Sequence, residues 1–195
     1  MITTRERNPE RSRERILDAA LEEFAAKGFA GARVEAIAKR AGLNKQLISH
    51  HFGGKEGLYR AVMDRRFAQP GGELNEPEGG LAGMFERAAA DPQWARILLW
   101  EALEGGGPAD VEGRRTRYAQ RVERIRAAQA AGHLPEELDP DLLLLSLFGA
   151  AVYPVLVPQV AEIITGLQPT GRTFQRRYRD HLSRLASVLS GGRSA

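Results

Sequence analysis

Apolar side chains recur at helical spacing along the first sixty residues. Ile16, Ala20 and Phe24, with Leu17 and Leu21 beside them, form one stripe that closes at Gly28, which predicts an amphipathic helix buried along that face. Asn8 followed by Pro9 supplies its cap and a first-position proline. A shorter stripe, Val34, Ile37, Ala38 and Ala41, stops at Gly42, whose access to left-handed backbone suits a tight exit. Leu43, Asn44 and Ile48 then stand one before a cap, at the cap and four beyond it, the spacing of a hydrophobic staple, which predicts a third helix starting at Lys45. After Gly53-Gly54 a fourth helix resumes with Leu58, Ala61 and Val62. Two short helices joined through a glycine turn and laid against a longer one make a helix-turn-helix.

The remainder also keeps helical spacing, interrupted at residues 104–110, 132–140 and 165–171. The fold class is therefore all-α. QPGGELNEPEGG, residues 69–80, reads as a connector, which divides the chain into a helix-turn-helix domain over 1–69 and a helical domain over 70–195. Residues 142–161 hold 20 positions without a charge, long enough to raise a transmembrane helix. Pro154, Pro158 and Gln159 interrupt that run, and Asp139, Asp141 and Glu162 flank it where basic anchors belong. No membrane span is expected. The reading is a buried helix, covered by its own domain and by a second subunit through Leu145, Phe148, Val152 and Leu156. Phe174, Tyr178, Leu182, Leu185 and Leu189 add a further stripe near the carboxy terminus.

Composition narrows the function. With 43% hydrophobic and 27% charged residues the chain belongs among globular proteins. It has no cysteine, so disulfides, thiolate catalysis and cysteine zinc sites are excluded. The charged amino terminus does not resemble an export signal, and a cytoplasmic location is expected. The net charge of +3 is unevenly spread: residues 1–69 hold 14 Lys/Arg against 9 Asp/Glu, whereas residues 70–195 hold 14 against 16. A basic first third on a slightly acidic remainder suggests two different partners.

The third helix carries the chemistry. Leu47, Ile48 and His51 lie towards one side with Phe52 closing the end, and Lys45, Gln46, Ser49 and His50 share the other. That second side suits base edges, with Lys towards guanine, Gln towards adenine and Ser towards either, although a merely solvated face has the same composition. Lys55 sits in the first turn of the fourth helix, where its charge opposes the positive helix end. A phosphate bound there would reverse the sign of that interaction. Adjacent histidines on a helix point about 100° apart, and with no third ligand nearby neither a metal nor a cofactor is expected at His50 and His51. Phosphate-loop, nucleophile-elbow and His-Glu metalloprotease motifs are missing, so an enzyme is not the expected reading.

The run ILDAALEEFAAKGFAGARVEAIAKRAGLNKQLISHHFGGKEGLYRAV, Ile16 to Val62, resembles the DNA-binding domain of tetracycline-repressor-type (TetR family) transcriptional regulators. The resemblance implies a homodimer bound to a near-palindromic operator and released when a small molecule enters the carboxy-terminal domain. It implies base- or groove-facing roles for Lys45, Gln46, Ser49 and His50, and backbone contacts from His51 and Lys55. The two carboxy-terminal apolar segments fit the four-helix dimer interface usual in that family. Two departures stand out. Ala32-Arg33-Val34 occupies the stretch where a Thr or Ser usually caps the second helix, so Arg33 is the candidate for that phosphate contact, and Ser49 stands where an aromatic is common.

Phe85, Trp94, Leu98, Trp100 and Tyr118 are candidates for an effector cavity, since ligand pockets are mostly apolar; core packing accounts for each of them singly as well. The effector's identity and the choice between repressor and activator stay open. The rival readings are a helical ligand-binding or scaffold protein whose helix-turn-helix no longer engages DNA and, more weakly, a small all-α enzyme.

Overall fold

A computed structural model describes residues 9–67, 80–105 and 111–191. Among these all regular structure is α-helical. The Asn8 cap and all but Gly80 of the 69–80 connector lie outside the described residues. The chain divides into two compact units: Met1–Pro70 with Arg96–Asp110, and Gly71–Ala95 with Val111–Ala195.

In the first unit, α1 (Pro9–Gly31) packs against α2 (Val34–Ala41) and α4 (Lys55–Phe67), and α4 supports α3 (Gln46–Phe52). The stripe read from the sequence is the core: Ile16, Phe24, Ile37, Ile48 and Leu58 are all fully buried. α1 is kinked at Gly28, whose φ of 69° and ψ of 180° are closed to residues with a side chain. α2 ends at Gly42 with φ 62°, and the Gly42 and Leu43 amides donate back to Lys39 and Ala38 carbonyls at 3.1 and 3.0 Å. This pairing closes the helix and turns the chain into α3.

Part of α6 (Pro92–Leu103) is built into this unit. Arg96 Nε donates to the Ala25 carbonyl at 2.9 Å, Glu104 Oε1 accepts from the Ala30 amide at 3.1 Å, and the buried Tyr59 hydroxyl donates to Glu101 at 2.9 Å. Through these bonds the described residues 96–105 group with the amino-terminal helices. These are polar links between segments some 42 to 74 residues apart in sequence, and local periodicity carries no trace of them.

The second unit contains α5 (Leu81–Ala90), α7 (Val111–Ala130), α8 (Pro140–Leu156), α9 (Pro158–Thr165) and α10 (Arg172–Leu189). Asp139 caps α8, accepting from the Asp141 and Leu142 amides at 2.9 and 3.0 Å, with Pro140 at the first helical position. The uncharged run does not form one rod. It breaks at Val157, and α8 and α9 bend by 90°, so among the described residues no single helix is long and apolar enough to cross a membrane.

Pro154 lies inside α8 and has no amide proton, so the Ala150 carbonyl one turn earlier loses its helical donor. The Tyr178 hydroxyl of α10 donates to that oxygen at 2.7 Å. Phe174 stacks on Tyr178 with ring centroids 5.3 Å apart, and Phe85 meets the Tyr178 ring edge-on at 5.0 Å.

Within the protomer, most of the residues expected at the interface face inward. Phe174 and Leu182 are 3% and 0% exposed and Val152 is 6% exposed, while Tyr178, Leu185, Leu189, Phe148 and Leu156 pack partly buried against the same cluster. The stripe on α10 faces the protomer's own core, because α5 and α8 already cover it. Of the residues expected at the interface, Leu145 is the one left well exposed, at 67%. Leu142, Tyr153 and, on α10, Val188 are also exposed.

Candidate nucleic-acid interface

α3 is fastened on one side and open on the other. Asn44 Oδ1 accepts from the Gln46 amide at 2.9 Å, and Lys45 already has helical dihedrals, so the cap acts where the staple spacing places it. Ile48 plugs into the core, and Leu47, His51 and Phe52 are half-buried beside it. Lys45, Gln46, Ser49 and His50 are all exposed on the opposite face. The helix ends at Gly53, φ 72°, whose amide donates to the Ser49 carbonyl at 2.9 Å. The guanidinium of Arg13 sits 5.4 Å from the centre of the Phe52 ring, a cation–π contact holding the end of α3 to α1. Sequence reasoning missed Arg13, which lies nearly forty positions from its partner with no local mark of its role.

The basic groups around this face differ in their freedom. Arg33 is exposed at the extended position preceding α2 and offers no side-chain cap to that helix. Lys45 reaches Glu35 at 3.3 Å, both side chains well exposed, so the pair is weak enough to exchange for a stronger acceptor. The Glu35 carboxyl is held below its ordinary range by its own backbone amide first, then by the hydrogen bond and charge of Lys45, with a smaller contribution from Arg33. His50 and His51 lie edge to face, with ring centroids 5.1 Å apart. No group of three or more His, Asp or Glu able to hold a metal occurs among the described residues.

Lys55 is half-buried and already engaged. Its ammonium donates to the Ala30 carbonyl at 3.2 Å and lies 4.8 Å from the centre of the Phe29 ring. It therefore ties α4 to the end of α1, a role the sequence reading did not include. Arg40 and Arg65 make equivalent ties, Arg40 to Glu22 and Glu23 at 3.3 and 3.6 Å, Arg65 to Glu14 and Asp18 at 3.2 and 2.7 Å. The result is a three-helix frame that holds α3 with its polar strip outward.

The five effector candidates divide between the two units. Leu98 and Trp100 belong to the first, the Trp100 ring lying 3.0 Å from where a Cβ on Gly28 would stand. Phe85, Trp94 and Tyr118 belong to the second: Phe85 and Trp94 are buried, and Tyr118 is exposed at 37% beneath the Arg121 guanidinium.

Comparison with known proteins decides the family. The model described as bacterial regulatory proteins, tetR family, matches residues 16–62, and the tetracyclin repressor-like carboxy-terminal domain matches residues 80–184. The chain belongs to the TetR family. It is similar to the HTH-type transcriptional repressor SCO4008 of Streptomyces coelicolor, 36% identical over 168 residues covering 82% of this chain and 86% of that one. A second relative, the HTH-type transcriptional regulator SrpR of Pseudomonas putida, is 31% identical over 146 residues, 67% of each chain. Among solved structures, the putative transcriptional regulator SCO4942 from Streptomyces coelicolor superposes with a TM-score of 0.73 at 28% identity, covering 91% of this chain and 97% of that one. This TetR-family chain is a DNA-binding transcriptional regulator, and the relatives it matches are regulators, not enzymes.

Proposed function

We propose that the protein is a repressor that binds a palindromic operator as a homodimer and is released by a small-molecule effector. The observation that carries the reading is the exposed strip of Lys45, Gln46, Ser49 and His50 on a helix whose other face is anchored by Ile48. Lysine and glutamine in that strip match the acceptors and donors of guanine and adenine in the major groove. Arg33, His51 and Lys55 flank it, and in this reading they meet phosphates. Lys55 has one ammonium donor on Ala30, which leaves two donors on the same group for a phosphate.

Dimerisation in this reading uses the exposed side of α8. Leu142, Leu145 and Tyr153 recur along one flank of that helix, and Val188 is exposed at 73% on α10. A two-fold axis would place two copies of α3 in successive major grooves about 34 to 36 Å apart, or a multiple of that. The effector belongs to the second unit, where Phe85 and Trp94 lie among apolar side chains. A cytoplasmic location completes the reading, since its target is DNA.

Selecting binding sites from random duplex DNA tests it directly. The expected product is a two-fold-related motif bound with strong salt dependence. Recovery of no motif, with only weak binding common to all sequences, would favour a helical ligand-binding protein that does not read DNA. Leu145→Glu with Tyr153→Glu, at exposed positions, is expected to give folded monomers that lose specific binding. Dimers of unchanged mass and affinity would move the interface elsewhere.

A further inference from the structure

Away from α3, the second unit carries a groove of about 520 Å³ between α5 and α10. The α5 wall is made by Ala89 and Ala90 over the buried Phe85, with Glu86 on the same helix, and the other wall carries Arg172, Arg176 and Arg179 with Gln175. The three arginines stand at positions i, i+4 and i+7 of α10, on one line along the helix. Like charges at that spacing repel, and Arg172 adds a cation to the positive start of a helix that has neither a capping side chain nor an acid in its first turn. Each of these arrangements is unfavourable to α10 alone, and an anion placed between the arginines reverses the sign of both.

The acids near the groove do not balance it. Glu86 pairs with Arg179 at 3.6 Å across the groove, and Asp180 reaches the same guanidinium at 3.2 Å. Arg172 and Arg176 have no hydrogen bond or ion pair among the described residues. His181 and Val188, on the flank towards the proposed dimer surface, lie about 160 to 180° around the helix from Arg172, so pairing of protomers there leaves the groove open.

We propose that this groove binds a small organic anion, a carboxylate or phosphate carried on an apolar body. Arg172 and Arg176 take the charged group, each able to donate in the paired geometry that planar anions accept, and the body lies on Ala89 and Ala90, above the buried Phe85. The volume falls within the range of small-molecule sites.

The test is titration of the purified full-length protein with 4-butylbenzoate, its neutral isostere 4-butylbenzamide, and sulfate, without DNA, followed by calorimetry and amide chemical shifts. We expect saturable one-to-one binding of the benzoate, shifts confined to residues around Ala89 and Gln175, and affinity lower by about tenfold or more for the benzamide and for sulfate. Arg172→Gln with Arg176→Gln is expected to reproduce that loss for the benzoate, whereas Arg177→Gln with Arg184→Gln, equal in charge but elsewhere on α10, leaves it unchanged. Equal affinity in both double variants, equal affinity for benzoate and benzamide, or sulfate binding as tightly as benzoate would each overturn the proposal. So would capture by phosphatidylserine but not phosphatidylcholine vesicles in a protein that ignores the benzoate. Because no DNA is present, failure here leaves the operator reading standing.

Discussion

Replacing Tyr178 with Phe isolates a single hydrogen bond. The ring stays, and with it the contacts to Phe85 at 5.0 Å and Phe174 at 5.3 Å; what is lost is the donor to the Ala150 carbonyl at 2.7 Å. An ordinary hydrogen bond contributes about 1 kcal/mol, and stranding a buried acceptor costs about 1 to 3 kcal/mol. Tyr178 is only half-buried, so water can partly replace it, and a loss of about 1.5 kcal/mol is expected. The decisive step is to repeat the substitution in a Pro154→Ala background. Alanine restores the amide that Pro154 withholds, the Ala150 oxygen regains its helical donor, and Tyr178→Phe should then cost only about 0.5 kcal/mol, a coupling of about 1 kcal/mol. Urea unfolding by circular dichroism at one fixed protein concentration measures all four corners of the cycle, the fixed concentration holding any subunit linkage constant. A second signature is alkaline. Burial raises the Tyr178 pKa above its ordinary value, so its contribution is complete below the unfolded value and fades as pH rises through the folded one. The phenylalanine variant should lack that fading. Equal costs of Tyr178→Phe in the two backgrounds would refute the account, because the hydroxyl would then not be compensating for the proline.

Gly28→Ala places a Cβ 2.3 Å from Glu104 Oε1 and 3.0 Å from the Trp100 ring, at a backbone conformation of φ 69° and ψ 180°; strain, displacement and loss of the Ala30 hydrogen bond together predict a cost of about 3 kcal/mol or more. A loss below about 1 kcal/mol in urea unfolding would show that this backbone relaxes freely. Glu35 is expected to titrate below the ordinary value of 4.5 by NMR and to move upward in Lys45→Ala; having a depressed folded value, it stabilises above its unfolded pKa and ceases to do so as pH falls through the folded one. An unmoved midpoint would remove the ion pair from the account. Gln46→Ala should alter preference at particular base pairs by about 1 to 3 kcal/mol, while Lys55→Ala weakens all sequences alike and lowers the salt slope by about one unit. If Lys55→Ala costs stability with the salt slope unchanged, Lys55 acts only through Ala30 and Phe29.

The amino-terminal frame was readable in one dimension because its determinants are local. Stripes at Ile16, Phe24 and Ile37, the left-handed exit at Gly42, and the Asn44 cap with its Leu43 and Ile48 staple each act within a few residues of themselves. The sorting of α3 into a buried Ile48 and an exposed Lys45, Gln46, Ser49 and His50 follows from helical geometry alone, and the structure has the same division. What an apolar stripe cannot state is which surface covers it. Phe174, Tyr178 and Leu182 have the spacing of an interface and of a core alike, and only the packing of α5 against α10, with α8 joined through Tyr178 and the shared cluster, makes them core. Likewise the charges of Arg96, Glu101 and Glu104 look like a solvated helix face until α6 returns to Ala25, Tyr59 and Ala30. Lys55 shows the same division within one residue. Its place in the first turn of α4 is local, but the carbonyl and ring that hold its ammonium come from a helix ended more than twenty residues earlier. Periodicity determines which side of each helix seeks cover; the chain's long-range return determines what provides it.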